Sequence, residues 1–80
     1  MDDKTVLQHI DELSKEELAL EEALASASLS NERHARLRSI EVELDQCWDL
    51  LRQRRARRHA GQDPDEATVR SESVVEKYLQ

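Results

Sequence analysis

The sequence predicts an all-α protein, an antiparallel two-helix hairpin of coiled-coil-like pattern followed by a C-terminal tail. Charged residues make up 38% of the 80-residue chain, against roughly 25% in ordinary globular proteins. One glycine and one proline leave few places for turns. Apolar residues recur at helical spacing on both sides of one serine-rich break. Two long helices with a short connection satisfy all these observations.

The first predicted helix covers about residues 3–26. Its apolar residues are spaced for one helix face: Val6, Ile10, Leu13, Leu20 and Leu24. Glu17 stands where this spacing expects an apolar residue, so the stripe shifts sideways there. Asp2 or Asp3 is placed to cap the first turn and to favour the positive end of the helix dipole.

The connection is predicted at about residues 27–30, where serine is concentrated. Ser30 is the best N-cap for the second helix, and Leu29 precedes it at the position of a hydrophobic staple. Helices joined by so short a loop must run antiparallel.

The second predicted helix covers about residues 31–60. Its apolar seam is more regular than that of the first helix: Leu37, Ile40, Leu44, Cys47 and Leu51. Gly61 suits the position just after a helix, and Pro64 prevents the helix from resuming. Residues 1–60 therefore form the predicted hairpin, and residues 61–80 form a turn and a tail.

A loop centred near residues 28 and 29 brings together positions whose numbers sum to about 57. This register pairs apolar residues along the hairpin: Val6 with Leu51, Ile10 with Cys47, Leu13 with Leu44, and Leu20 with Leu37. It also brings acids close to bases at both ends: Asp2 and Asp3 near Arg54 and Arg55, and Glu21 and Glu22 near Arg33 and Arg36. The hydrophobic and the charge patterns predict the same register.

Two such stripes make only a small core. Chains of about 70 to 80 residues are marginal in stability for this reason. Two sources of further apolar contact stay open. The tail can dock as a short third element, or a second copy can complete a four-helix bundle. Trp48 and Leu50 flank the seam, and we expect them to use that additional contact.

The net charge of −6 conceals an uneven distribution. Five arginines and no acid lie between an acidic body and an acidic tail, in the segment 51–60. Two interpretations stay open for this arginine block. Either the acids near both chain ends fold against it, or it binds an anionic partner, since guanidinium groups bind carboxylate and phosphate bidentately.

The favoured function is a protein-interaction or adaptor module with a homodimeric or other protein partner. The alternative is an RNA- or DNA-associated accessory protein that uses Arg52–Arg58. Nucleic acid is disfavoured because the body is acidic and no aromatic residue interleaves the arginines. The candidate partner-binding residues are Trp48, Arg54, Arg55, Arg57, Arg58, Tyr78 and Leu79.

No catalytic, cofactor or metal site is predicted, and we expect no enzymatic activity. His9 and Cys47 can approach each other across the hairpin, but zinc requires further ligands. Phosphate-binding loops need glycines that are absent, and an aromatic content of 2% offers little with which to line a pocket. A lone cysteine, with no signal peptide or apolar span, predicts a cytoplasmic protein that does not contact membranes.

Two stretches carry a resemblance to a known family. They are LDQCWDLLRQRRARR at residues 44–58 and VEKYLQ at residues 75–80. With them, the chain resembles a family of small uncharacterised actinobacterial proteins, a domain of unknown function. The resemblance covers nearly the whole chain and implies that the arginine block and the C-terminal end belong to one small protein. It implies no activity, cofactor or catalytic residue.

Overall fold

The computed structural model of the chain describes residues 2–26 and 30–79, with side chains described as far as residue 76. Within these ranges the chain forms α1 (Asp3–Ser26), α2 (Asn31–His59), a 3-10 helix (Pro64–Glu66) and α3 (Glu72–Leu79), and no strand. The start of α1 binds the end of α2, so the two long helices are antiparallel. The predicted all-α hairpin is confirmed, and the tail docks against α2 as a short third element.

Both long helices begin at a side-chain cap. The Asp2 carboxylate accepts a hydrogen bond from the backbone N–H of Thr5 at 2.8 Å. Ser30 has extended backbone angles, and its hydroxyl accepts from the N–H of Arg33 at 3.3 Å, so the predicted cap is confirmed. Leu29, the predicted staple, lies outside the described residues.

The end of α2 is set by Gly61. Its φ of +73° lies in the left-handed region, which glycine adopts without steric cost. The N–H groups of Gly61 and Gln62 donate to the carbonyls of Arg58 and Arg57, which closes the last turn. Pro64 then begins the 3-10 helix. The chain thereby turns back along α2.

The core lies in the half of the hairpin away from the connecting loop. It consists of seven buried apolar residues, Val6, Ile10, Leu13, Ile40, Leu44, Leu50 and Leu51, with Leu20, Cys47 and Ala67 packed against them. Leu50 is buried as expected, whereas Trp48 remains 45% exposed. Val75 of α3 is also buried, so the tail contributes apolar contact of its own.

Towards the loop the apolar seam ends early. Leu24, on the predicted stripe of α1, is 44% exposed, because residues 31–36 of α2 offer no large apolar side chain. Arg36 binds Glu16 bidentately, at 2.6 and 2.9 Å, rather than the expected Glu21 or Glu22. The expected pairing of Asp3 with Arg54 at the other end is present. The contacts between α1 and α2 therefore follow the predicted register at the end where the tail also packs, and they depart from it towards the loop.

The molecule is elongated, with extents of 50 × 25 × 17 Å. At about 1.5 Å per residue, α2 alone accounts for about 43 Å of its length. In the described part of the chain, no helix combines the length and apolar character needed to cross a bilayer.

The Gly61 turn predicts a small and specific loss of stability. Replacing Gly61 by Ala should lower the free energy of unfolding by about 1 kcal/mol, since only the left-handed backbone opposes the added methyl group. Gly61→Asn should cost less, because asparagine tolerates this conformation better. Urea unfolding followed by circular dichroism tests this, and equal losses for both variants would contradict it.

Candidate functional site

The candidate site is the C-terminal half of α2, which carries Trp48 and the arginine block. Nothing interrupts the helix there, since residues 44–58 contain neither glycine nor proline. Because helical side chains point outward on every side, successive arginines face different neighbours. The structure accordingly divides the block into arginines that hold the fold together and arginines that remain exposed.

Arg54 belongs to the first group. Its residue is only 4% exposed, although it carries a full charge. Its Nε donates to Asp3 of α1, and its Nη1 donates to the carbonyl of Pro64 at 3.1 Å and to Asp65 at 3.0 Å. The hydrogen bonds to Asp3 and Asp65 raise its pKa, which keeps the guanidinium charged. Arg54 therefore joins three parts of the chain and is not available to a partner.

Arg58 and Arg57 are also engaged. Arg58 binds Asp3 through two hydrogen bonds of 3.2 and 2.6 Å. Arg57 reaches Glu66 at 3.4 Å. Hydrogen bonds from Arg58 and then Arg54 lower the pKa of Asp3 to about 2. The acids at both ends of the chain thus neutralise much of the arginine block within the molecule.

A second polar cluster, centred on Asp49, was not predicted from the sequence. The Asp49 residue is completely buried, and Arg70 from the tail binds its carboxylate bidentately at 2.9 and 2.6 Å. Gln53 donates to Asp49 at 2.9 Å and to the carbonyl of Thr68 at 2.8 Å. Gln46 donates to the carbonyl of Arg70 at 3.2 Å. These contacts fix the tail on α2.

The electrostatics of Asp49 follow from this geometry. The hydrogen bonds from Arg70, and then from Gln53, lower its pKa even though burial opposes its charge. Within the described residues, no buried side-chain polar atom lacks a hydrogen-bond partner. The cluster is a satisfied structural network, and its only sequence signal is a carboxylate placed inside the run Cys47–Leu51.

Arg52 and Arg55 form the second group. The Arg52 side chain is 51% exposed and only approaches Asp49, at 3.8 Å. Arg55 is exposed and forms no ion pair with any residue that the structure describes. Both lie on the helix face of Trp48, one and two turns after it. Of the five arginines in the block, these two are the least engaged by the described residues.

We call this exposed surface the Trp48 face. Its five residues lie at alternating spacings of four and three along α2, which is one side of a helix: Glu41, Asp45, Trp48, Arg52 and Arg55. All five are exposed, because α1 covers a different side of α2 and the tail covers another. Of the predicted partner-binding residues, Trp48 and Arg55 meet here. The side chains of Tyr78 and Leu79 lie outside the described part.

Cys47 offers little chemistry. The thiol is partly buried, and this burial, followed by the charge of Glu43, raises its pKa. A protonated thiol is a weak nucleophile and a weak metal ligand. In residues 2–26 and 30–79, no three His, Cys, Asp or Glu side chains converge as a metal site, and His9 is exposed.

The sequence is similar to proteins of known sequence but unknown role. A family model described as protein of unknown function (DUF2630) matches residues 2–80. An uncharacterized protein of Mycobacterium tuberculosis is 53% identical over 77 residues, which cover 95% of this chain and 88% of that protein. An uncharacterized protein of Mycobacterium bovis matches with the same identity and coverage. No solved structure matches the chain. The predicted family resemblance is confirmed.

The Asp49 cluster predicts that the tail depends on one carboxylate. Asp49→Asn should lower the free energy of unfolding by about 2 kcal/mol, below the usual cost for a fully buried pair because Arg70 is partly hydrated. Trypsin should also cleave faster after Arg70, because its side chain is released. Asp11→Asn, which alters an exposed pair with Lys15, is the matched control and should change neither result. Wild-type stability and cleavage for Asp49→Asn would contradict this role.

The Asp3 contacts predict acid sensitivity. Because the pKa of Asp3 is about 2 in the folded chain and about 3.8 in the unfolded chain, its stabilisation is complete above pH 4 and is lost as the pH falls towards 2. Thermal unfolding of Asp3→Asn should therefore show a smaller loss of melting temperature between pH 5 and pH 2 than wild type. The Asp11→Asn control should follow the wild-type profile. Parallel profiles for all three chains would show that Asp3 is not responsible.

Proposed function

The chain belongs to the DUF2630 family of proteins of unknown function, and we propose that it is a non-enzymatic protein-interaction or adaptor module of the cytoplasm. The observation that carries the proposal is the Trp48 face. An indole that is 45% exposed lies on the same helix face as Arg52 and Arg55. Arg52 is held only by its 3.8 Å contact with Asp49, and Arg55 forms no ion pair with a described residue. Tryptophan and arginine are the residue types most enriched among side chains that dominate binding energy.

The amount of exposed surface supports a partner. The chain has an accessible surface of 5746 Å². A compact folded monomer of 9.3 kDa is expected to expose about 5,000 Å². The excess is comparable with the roughly 800 Å² that each protein contributes to an interface of standard size. Among the residues whose side chains the structure describes, six large apolar ones are exposed, and four of these lie on the two long helices: Leu7, Leu18, Leu24 and Trp48.

The shape of the surface argues against small-molecule chemistry. The depressions on the described surface are open and lined mainly by charged and amide side chains, such as the one bounded by Arg52, Gln53, Arg57 and Arg70. Small-molecule sites are usually concave and mostly apolar, with few polar groups. A flat helix face of this kind is better suited to another protein surface.

Association with RNA or DNA is the second candidate, because Arg52 lies one turn from an exposed indole that could stack on a base. The paired state of Arg54, Arg57 and Arg58 counts against it. If the two exposed arginines of the face, Arg52 and Arg55, supply the phosphate contacts, the logarithm of affinity should fall with that of salt concentration with a slope of only about −1.5. Such binding would be weak at physiological salt.

A pulldown tests the proposal. The full chain is immobilised and exposed to a lysate of the source organism, with and without nuclease treatment, and untagged chain is added as a candidate partner. Wild type should retain a protein partner that Trp48→Ala loses, because the indole supplies most of the buried apolar contact. Leu7→Ala, which removes an equally exposed apolar side chain from α1, is the matched control and should retain the partner.

Two results would contradict the proposal. One is retention of the same partners by the Trp48→Ala chain. The other is a partner that is lost on nuclease treatment, which would favour the nucleic-acid candidate.

A further inference from the structure

We propose that the Trp48 face binds the same face of a second copy of the chain, with the two α2 helices antiparallel about a two-fold axis beside Trp48. This inference rests on the proposed function, because it names the partner of that surface. Two-fold pairing uses one patch on both copies and closes on itself, so it needs no second binding surface.

The order of charges along the face is what selects a second copy. Two acids, Glu41 and Asp45, precede Trp48, and two bases, Arg52 and Arg55, follow it. In an antiparallel pair with the two Trp48 residues opposite each other, facing residues have numbers that sum to about 96. Glu41 then faces Arg55 of the second copy, and Asp45 faces Arg52 to within one residue. Each copy supplies two such contacts.

In a single chain, the 3.8 Å contact of Arg52 with Asp49 is the one ion pair that these four charges form with described residues. Glu41 and Asp45 are a like-charged pair at i,i+4, and neither forms an ion pair with a described residue. Arg52 and Arg55 are a like-charged pair at i,i+3. Both spacings disfavour an isolated helix. The surface thus carries two unfavourable pairs that one symmetric contact would relieve.

A third carboxylate extends the acidic half of the face. Glu17 of α1 interrupts the apolar stripe and lies near Glu41 and Asp45, and burial together with the charges of Glu21, Glu41 and Asp45 raises its pKa. A uniformly basic partner would satisfy this half of the surface and repel the arginine half. A uniformly acidic partner would do the reverse. A second copy satisfies both halves at once.

The centre and the ends of the contact are compatible with this pairing. The two indoles would meet at the axis and bury apolar surface that is 45% exposed in one chain. Farther out, Arg38 would face Arg58, whose charge is already bound by Asp3. The tail packs on the side of α2 that carries Gln46, Asp49 and Gln53, and none of these belongs to the five residues of the Trp48 face.

Charge reversal with complementation is the decisive experiment. Light scattering of the full wild-type chain at about 100 µM should give the mass of a dimer. The double variant Arg52→Glu with Arg55→Glu should be monomeric, and so should Glu41→Arg with Asp45→Arg. An equimolar mixture of the two should recover the dimer, because acids on one chain then face bases on the other along the whole contact.

The matched control is Asp11→Arg with Glu12→Arg, which reverses two exposed acids on α1 and should remain dimeric. Circular dichroism should give wild-type helix content for every variant, since all the altered side chains are exposed. The chain has one tryptophan, so its emission should move to shorter wavelength as the wild-type chain dimerises with rising concentration.

A monomeric wild-type chain at this concentration would overturn the inference, as would a dimer that both reversals leave intact or a mixture that stays monomeric. These outcomes are separable from failure of the proposed function. If the chain is monomeric but a different protein is retained through Trp48, the proposed function stands and the second copy is not its partner. If Trp48 retains nothing, both fail.

Discussion

The ion pair of Asp49 with Arg70 is the constraint on which the rest of the structure depends. A carboxylate with no exposure to solvent must be paired, since burying an uncompensated charge is strongly unfavourable. The bidentate guanidinium of Arg70 fixes the direction in which the tail returns along α2, and Gln53 and Gln46 hold the neighbouring backbone. Because α1 covers one side of α2 and the tail covers another, a third side, the Trp48 face, stays exposed.

Polar contacts with defined geometry complement a small apolar core. The chain has no phenylalanine and buries its apolar side chains mainly along one seam. Burial of a few aliphatic residues favours a collapsed chain but does not by itself choose one arrangement of the tail. Bidentate contacts do so, because a guanidinium fork accepts a carboxylate in few orientations. The Asp49 cluster and Arg54 therefore account for the specificity of the fold more than for its net stability.

The sequence alone was sufficient for the features that local physical chemistry determines. Helical spacing predicted both long helices, Ser30 was predictable as a cap, and Gly61 as the end of α2. The roles of the individual arginines were not predictable, because Arg54 and Arg55 are neighbours of identical chemistry. Contacts with both α1 and the tail bury Arg54, whereas Arg55 stays exposed. Asp49 and Arg70 are 21 residues apart, and no periodic signal connects them. The sequence therefore did not predict the specific contacts of the tail with α2. Those contacts help to decide which side of α2 stays exposed as the Trp48 face.

Arg54 also has a consequence for the order in which the chain folds. Its contact with Asp65 joins residues 11 apart, whereas its contact with Asp3 joins residues 51 apart. Closing a longer loop costs more chain entropy, and contacts distant in sequence slow folding. The turn after α2 should therefore form its contacts with Arg54 early in folding, and α1 should pack against α2 last. Asp3, at the start of α1, then binds the Arg54 guanidinium after Asp65 has already bound it.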